Sequence, residues 1–171
     1  MAAWSVSGPS AGCGPGLNIR LATPADAPAI TALLNTLIAD RDGTALSVPL
    51  SIEQEAEYIR QWQRGGLCLL AEDAGLLLGF QSVDRLGPEL GEIGTFIRRE
   101  SRGLGVGRLL LQETRRWAQG EGVTFLLAVV AARNERGQRA YRAWGFTEAS
   151  AGMLNNLGHA PDGVLLEFRT D

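Results

Sequence analysis

The sequence has few of the residues that build metal sites or disulfide frameworks. It contains two cysteines, Cys13 and Cys68, and a single histidine, His159. The cysteines lack metal-ligand spacing, and Cys68 lies inside the apolar run Leu67–Ala71, where a small buried thiol is the usual interpretation. We therefore predict no metal site and a reducing compartment. His159 lies in a polar loop beside Pro161–Gly163, and we interpret it as a surface residue.

Long apolar runs and an excess of positive charge are also missing. The longest mostly apolar stretch, Val123–Ala132, is too short to span a bilayer. The N-terminus lacks the basic start and apolar core of a signal peptide. A net charge of −3 disfavours nucleic acid as a partner, because binding a polyanion needs a basic surface. These absences predict a cytoplasmic protein that binds neither a membrane nor nucleic acid.

Length and composition favour one folded domain. The chain has 171 residues, of which 45% are apolar and 20% are charged, and this suits a single globular core. Residues 1–16 are rich in glycine, serine and proline and hold few bulky side chains, so they cannot offset the entropy of ordering. We predict a flexible N-terminal tail over residues 1–16 and a single domain over residues 17–171.

Helix caps and apolar spacing predict the order of the elements. Thr23, Pro24 and Asp26 mark one helix start, and Ser51 with Gln54 marks the next. Helices are predicted at 24–39, 51–65, 105–119 and 134–144, with Gly120 as the stop of the third. Strands are predicted at 17–21, 67–71, 76–83, 92–98, 123–130, 146–149 and 164–168. The order βααβββαβαββ indicates an α/β (α+β) fold with a mixed sheet flanked by helices.

The segment Arg102–Arg108 has glycine at alternate positions just where a helix begins. Bare amides at a helix N-terminus bind anions, and the helix dipole adds partial positive charge. A dinucleotide-binding turn would need a third glycine where Arg108 stands, and no Gly-Lys-Ser/Thr of a nucleotide-triphosphate loop follows. A phosphate or pyrophosphate is the expected ligand of this segment, and a tight strand-to-helix turn without any ligand is the alternative.

Two motifs in order resemble the GCN5-related N-acetyltransferases, the GNAT family. The loop reads Arg-x-x-Gly-x-Gly from Arg102 to Gly107, and the segment Asn134–Phe146 is similar to the family's Asn-x-x-Ala-x-x-Leu-Tyr-x-x-x-Gly-Phe. It departs from that pattern at Gly137 and Ala140. The resemblance implies a mixed, mostly antiparallel twisted sheet of about six to seven strands flanked by about four helices. It also implies acetyl-CoA as cosubstrate and no metal, in a phosphinothricin-type or ribosomal-protein-alanine-type branch.

The resemblance also implies which residues hold the cosubstrate. The pantetheine arm is expected to pair with the main chain of Phe96, Ile97 and Arg98, and Asn134 is expected to hydrogen-bond to it. The pyrophosphate is expected at the amides and guanidiniums of the loop, namely at Arg102, Gly103, Leu104, Gly105, Val106, Gly107 and Arg108. For each arginine a purely solvated role is as plausible as a phosphate contact.

Tyr141 and Glu92 are the candidate catalytic residues. A phenol stays protonated at neutral pH, so Tyr141 can donate to a departing thiolate, although a half-buried core tyrosine is the alternative. Glu92 resembles the Glu of the Glu-x-x-x-Tyr/Phe-Val/Ile segment in phosphinothricin-type enzymes. We expect it to act as the base through water, and a solvated carboxylate at a strand end is the alternative.

The sequence does not name the acceptor. Segments 35–51 and 149–163 are expected to cover it, with Asp40, Arg41 and Asp42 either binding substrate or lying in solvent. A small amino acid, a related amine or a protein N-terminus fits acetyl transfer by direct attack in a ternary complex. A non-catalytic acyl-CoA sensor and a nucleotide-binding phosphate domain are the other hypotheses, and a homodimer is possible.

Overall fold

The computed structural model describes residues 16–41, 44, 46–150 and 163–170. Residues 1–15 of the predicted tail, Asp42, most of the segment 149–163 and His159 lie outside this part. The described helices are α1 (Ala27–Ala39), α2 (Ile52–Gly65), α3 (Val106–Glu121) and α4 (Glu135–Ala143). The strands are β1 (Leu17–Leu21), β2 (Leu67–Asp73), β3 (Leu76–Arg85), β4 (Leu90–Ile97), β5 (Phe125–Val130), β6 (Thr147–Glu148) and β7 (Val164–Arg169).

The strands form one seven-stranded sheet in the order β1-β2-β3-β4-β5-β7-β6. Every described pair is antiparallel except β4 and β5, which are parallel. The predicted fold class and the element order are therefore confirmed. None of the helices in the described ranges combines the length and the apolar character that crossing a bilayer requires.

The helices cover the two faces of the sheet. One apolar cluster joins α1 and α2 to the β2 and β3 side chains Cys68, Leu70 and Phe80, with Phe96 of β4 packed against it. The other cluster joins α3 and Tyr141 of α4 to strand side chains on the opposite face of the sheet, such as Leu69 of β2 and Ile93 of β4. Because side chains alternate along a strand, β4 presents its even-numbered residues to α1 and α2 and its odd-numbered residues to α3 and α4.

The structure corrects three local predictions. A 3-10 turn at Pro24–Asp26 precedes α1, which begins at Ala27. Helix α3 continues through Gly120 and ends at Glu121, because Gly122 and not Gly120 adopts the left-handed conformation that closes a helix. Helical spacing also predicts a buried stripe of Ile52, Ala56, Ile59 and Trp62 on α2, but Ile52 is 47% exposed and does not belong to it.

Candidate active site

Strands β4 and β5 separate to form a fork. They pair only at Leu90–Glu92 with Phe125–Leu127, and from Ile93 onward the two strands diverge. A cavity of about 740 Å³ passes along this fork, and its lining includes residues 93–97 of β4 with Val129 and Val130 of β5. This volume falls within the range of small-molecule and cofactor clefts.

Alternate main-chain groups of β4 face the fork. The carbonyl oxygen of Ile93 lies 3.5 Å from the Tyr141 hydroxyl, and Arg102 Nε donates to the carbonyl of Ile97 over 3.2 Å. Arg98 instead donates its amide to Leu78 of β3 over 2.9 Å. By the two-residue period of a strand, Ile93, Thr95 and Ile97 therefore face the fork. Of the three residues predicted to pair with a pantetheine arm, Ile97 is the one with its main chain on this side, while Phe96 and Arg98 face β3.

The glycine loop lies at the end of β4 and leads into α3. Gly103 and Gly105 have φ angles of +78° and +82°, a conformation that disfavours every residue with a Cβ. No atom lies within 4 Å of the Cβ position at either residue, so the loop is open. Gly105 is the N-cap of α3, and the first helical hydrogen bond runs from Leu109 to its carbonyl over 3.1 Å. Helix geometry leaves the amides before Leu109 without a helical partner.

The other predicted loop residues occupy different positions. Arg102 and Arg108 line the cavity, whereas Leu104 is 63% exposed and does not. Gly107 is buried, and a Cβ there would come within 2.7 Å of the Trp144 ring. Arg136 of α4 also lines the cavity, on the same face of the sheet as the loop. Sequence reasoning did not single out Arg136, because the family pattern leaves that position variable.

Asn134 caps α4 and lines the cavity. Its side-chain oxygen accepts a hydrogen bond from the Gly137 amide over 2.8 Å. A Cβ at position 137 would lie 2.5 Å from the Asn134 side-chain nitrogen. The departure from the family pattern at Gly137 therefore leaves room for the Asn134 side chain to fold over the first turn of α4.

Tyr141 of α4 points its hydroxyl at the fork. The residue is 7% exposed and packs edge-on against the rings of Trp144 and Phe146. Its hydroxyl donates to Thr95 Oγ1 over 3.0 Å. Burial raises the pKa of Tyr141 to about 12, although the Thr95 hydrogen bonds act in the opposite direction. The phenol is thus protonated at neutral pH, as its predicted role requires.

Thr95 belongs to a buried polar chain that the sequence did not reveal. Gln81 Nε2 donates to Thr95 Oγ1 over 2.8 Å, and Gln81 Oε1 accepts from the hydroxyl of Thr114. Both Gln81 and Thr114 are fully buried. The only available signal was the polar residue Gln81 directly after the mostly apolar first half of β3.

Carboxyl groups line the cavity on the face of the sheet covered by α1 and α2. Glu92 is half-buried at the last position of β4 that pairs with β5, and Asp84 lies directly opposite it on β3. Burial, and then the charge of Asp84, raise the pKa of Glu92. Asp84 Oδ1 accepts a hydrogen bond from Trp62 Nε1 of α2 over 2.7 Å. Because β4 begins at Leu90, Glu92 lies within the strand and not at its end.

Glu55 of α2 lines the same part of the cavity. It is 1% exposed, and its Oε1 has no hydrogen-bond partner among the described residues. Burial raises its pKa to about 7. Sequence reasoning missed Glu55, yet it stands four residues before Ile59 and seven before Trp62. This spacing puts it on the buried face of the helix.

The charges predicted to meet the acceptor lie elsewhere. Asp40 forms an exposed ion pair with Arg99 at 3.3 Å, and neither Asp40 nor Arg41 lines the cavity. From the predicted segment 35–51, the cavity lining instead includes the apolar residues Leu37, Leu46 and Leu50.

Comparison with known proteins agrees with this geometry. The family model for the acetyltransferase (GNAT) domain matches residues 17–147. The chain belongs to the GNAT acetyltransferase family and is an acetyltransferase, which confirms the resemblance in the two motifs. The match includes the glycine loop, the fork and Tyr141.

Individual relatives are more distant. YwnH of Bacillus subtilis, provisionally named a phosphinothricin acetyltransferase, is 29% identical over 138 residues, which cover 77% of this chain and 85% of YwnH. An L-methionine sulfoximine/L-methionine sulfone acetyltransferase of Pseudomonas aeruginosa is 29% identical over 136 residues, 75% of this chain and 79% of its own. The solved structure of YncA from Salmonella typhimurium with acetyl-CoA shares the fold at a TM-score of 0.76 and 20% identity, covering 91% and 94% of the two chains.

Proposed function

We propose that the protein transfers the acetyl group of acetyl-CoA to a primary amine by direct attack within a ternary complex. One observation carries the proposal. The cavity at the fork is lined by the open glycine loop on one face of the sheet and by carboxyl groups on the other. Donor and acceptor can therefore approach the fork from opposite faces. Cys68 does not line the cavity, and burial raises its pKa well above the usual value, so it does not fit a covalent acetyl carrier.

The residues at the fork and the loop fit acetyl-CoA. The cosubstrate supplies the acetyl thioester, and the first-turn amides of α3 with Arg102 and Arg108 would hold its diphosphate. The main-chain groups of Thr95 and Ile97 would pair with the pantetheine arm. Asn134 and Arg136 border the same passage from α4.

Glu92 and Tyr141 divide the proton chemistry of the proposed reaction. Glu92 accepts a proton from the acceptor ammonium, through water, so that the neutral amine can attack. In the reaction the Tyr141 O–H turns from Thr95 Oγ1 to the departing thiolate, and the Thr95 hydroxyl can then donate to the phenol oxygen. A thiol has an ordinary pKa of about 8.5, so complete proton transfer from a phenol of pKa about 12 would cost about 5 kcal/mol. Tyr141 therefore stabilises the thiolate as a hydrogen-bond donor.

Release of the CoA thiol across a panel of primary amines tests the proposal. At least one amine should accelerate release above the rate of hydrolysis, and mass spectrometry should show one added acetyl group on that amine. The sequence contains no lysine, so acetylation of the protein's own side-chain amines adds no background.

Thermal shift with acetyl-CoA, CoA, ATP and NAD provides the binding control. Acetyl-CoA and CoA should stabilise the protein markedly, and ATP and NAD should not. Stabilisation by acetyl-CoA together with a flat amine panel would favour the sensor hypothesis. Preferential stabilisation by a nucleotide would contradict the proposed cosubstrate.

A further inference from the structure

The two faces of the cavity carry opposite charge. Arg102, Arg108 and Arg136 are the arginines in its lining, and all three lie on the loop and on α3 and α4. The part covered by α1 and α2 is lined by the carboxyl groups of Glu55, Asp84 and Glu92. Within the described residues, these carboxyl groups do not form a cluster that could hold a metal ion.

Glu55 is the carboxyl group that most needs a partner. Asp84 already accepts from Trp62, and Glu92 has the proposed role of base. Glu55 is almost fully buried, lines the cavity and has Oε1 unpartnered among the described residues. A buried carboxylate without a donor is costly, and an ammonium ion at the cavity surface would supply both charge and hydrogen bonds.

Apart from Thr44 and Ser82, the remaining lining of this part is apolar and aromatic. Tyr58 and Trp62 of α2 stack with their ring centroids 6.1 Å apart, and Phe80 stacks on Phe96 at 4.7 Å. All four side chains line the cavity. Such rings suit an apolar or aromatic body attached to the amine, and they also attract a cation electrostatically.

Among the described residues, no cationic side chain that could bind a carboxylate on the acceptor lines the α1 and α2 side of the cavity. The sequence has no lysine, and all 16 of its arginines lie in the described part. Arg98 directly follows β4, but its Nε donates to the Leu77 carbonyl and it does not line the cavity. Arg41 does not line the cavity either. The residues outside the described part add His159 as their one ionisable cationic side chain.

We propose that the acceptor is a cationic primary amine with an apolar or aromatic body and no carboxylate, and that Glu55 binds its ammonium group. This inference rests on the proposed N-acetyltransfer. It separates the protein from the relatives named for phosphinothricin and methionine sulfoximine, because those compounds are amino acids and carry a carboxylate. Glu55 is thus a specificity residue for the positive charge of the acceptor.

Three matched amines test the charge argument. 2-Phenylethylamine, phenylalaninol and phenylalanine share the ring and the amine, and the last two differ in carrying a hydroxymethyl group or a carboxylate. We expect kcat/KM for phenylethylamine and phenylalaninol to exceed that for phenylalanine at least tenfold. Phosphinothricin and methionine sulfoximine should be as poor as phenylalanine. A preference for any of these amino acids, or equal rejection of phenylalaninol and phenylalanine, would overturn the inference.

Glu55→Gln tests the assigned residue, and Glu57→Gln is its control. Glu57 lies on the exposed side of the same helix and pairs with Arg60 and Arg64. Glu55→Gln should raise KM for phenylethylamine at least tenfold and leave KM for acetyl-CoA unchanged, whereas Glu57→Gln should change neither. The thermal shift produced by phenylethylamine in the presence of CoA should be lost in the same variant. An unchanged amine KM would remove Glu55 from the site.

The outcomes separate this inference from the proposed function. If phenylalanine or another amino acid is the good substrate, N-acetyltransfer stands and the acceptor class is wrong. If no amine of the panel accelerates thiol release, the proposed N-acetyltransfer fails and the inference fails with it.

Discussion

The Tyr141 hydroxyl and Thr95 Oγ1 lie 3.0 Å apart and join α4 to β4 at the fork. Thr95 Oγ1 also accepts from Gln81, so the phenol is fixed by a chain of hydrogen bonds that extends into the core. Ring contacts with Trp144 and Phe146 hold the other side of Tyr141. The hydroxyl therefore has a defined position before any ligand binds, which is the condition for efficient stabilisation of a developing charge.

Tyr141→Phe should lower kcat by about a hundredfold, because it removes the hydrogen-bond donor proposed for the thiolate. KM for acetyl-CoA should change little, since the ring and its packing remain. Steady-state kinetics at saturating amine, with thiol release as the readout, measures both constants. An unchanged kcat would leave Tyr141 a core residue.

Thr95→Val should lower kcat by about tenfold through Tyr141, because the phenol keeps its place in the core but loses its partner. Thr95→Ser keeps the hydroxyl and should restore most of the activity. Val also leaves the buried Gln81 amide unsatisfied, which costs about 1–3 kcal/mol of stability. Urea unfolding of both variants separates this cost from the kinetic effect, and failure of Ser to rescue kcat would contradict a positioning role.

Gly105→Ala should destabilise the protein by about 1–2 kcal/mol and raise KM for acetyl-CoA, because position 105 has a φ of +82° at the N-cap of α3. A Cβ there meets no neighbour within 4 Å, so the effect comes from the backbone and not from a clash. Urea unfolding and calorimetric titration with acetyl-CoA measure the two changes.

Gly120→Ala is the control on the same helix. Gly120 has no neighbour within 4 Å of a Cβ and has no positive φ, so alanine should add about 0.5–1 kcal/mol of stability without changing acetyl-CoA binding. Equal affinity of the Gly105→Ala variant and the parent would contradict cosubstrate binding at the loop.

Local signals predicted the fold well, and they failed where tertiary contacts decide. The caps at Ser51 and Asn134 and the glycine at 105 are properties of short segments, so the sequence predicted the starts of α2, α3 and α4, whereas α1 begins at Ala27 and not at Pro24. The sheet order and the fork depend on pairings between distant strands. Neither was predicted, because the family resemblance implied only a mixed, mostly antiparallel sheet flanked by helices.

For the candidate site as well, the sequence predicted the residues that belong to local motifs and missed those that are placed by tertiary packing. The loop and Tyr141 belong to sequence motifs, whereas Glu55 does not. Carboxylates usually lie on the surface, so helical spacing alone gave no reason to bury this one. Its burial follows from the packing of α2 over β2 and β3, which no local pattern contains.

Glu92→Gln should lower kcat by about a hundredfold and remove the acid limb of the pH profile of kcat at saturating amine, where Glu55 is already ionised beside the bound ammonium. A carboxyl base must be ionised, so activity should fall as the pH drops through the pKa of Glu92, which burial and Asp84 raise above the ordinary value. Asp84→Asn removes the neighbouring charge and keeps an acceptor for Trp62, and it should move this limb to lower pH. A limb that stays in place in Asp84→Asn would assign it to another group.

Glu55→Gln should stabilise the protein in a pH-dependent way. Burial raises the pKa of Glu55 from 4.5 to about 7, so the folded protein binds this proton more tightly than the unfolded chain does. Its ionisation therefore opposes folding, with a cost that is absent below pH 4.5, grows between pH 4.5 and 7, and reaches about 3 kcal/mol above that range. The glutamine variant should match the parent at pH 4.5 and exceed it by about 1–3 kcal/mol at pH 8 in urea unfolding. Glu57→Gln, whose carboxylate has a lowered pKa beside Arg60, should show no such gain. Equal stability of Glu55→Gln and the parent at pH 8 would mean that Glu55 ionises freely, and its need for a cationic partner would disappear.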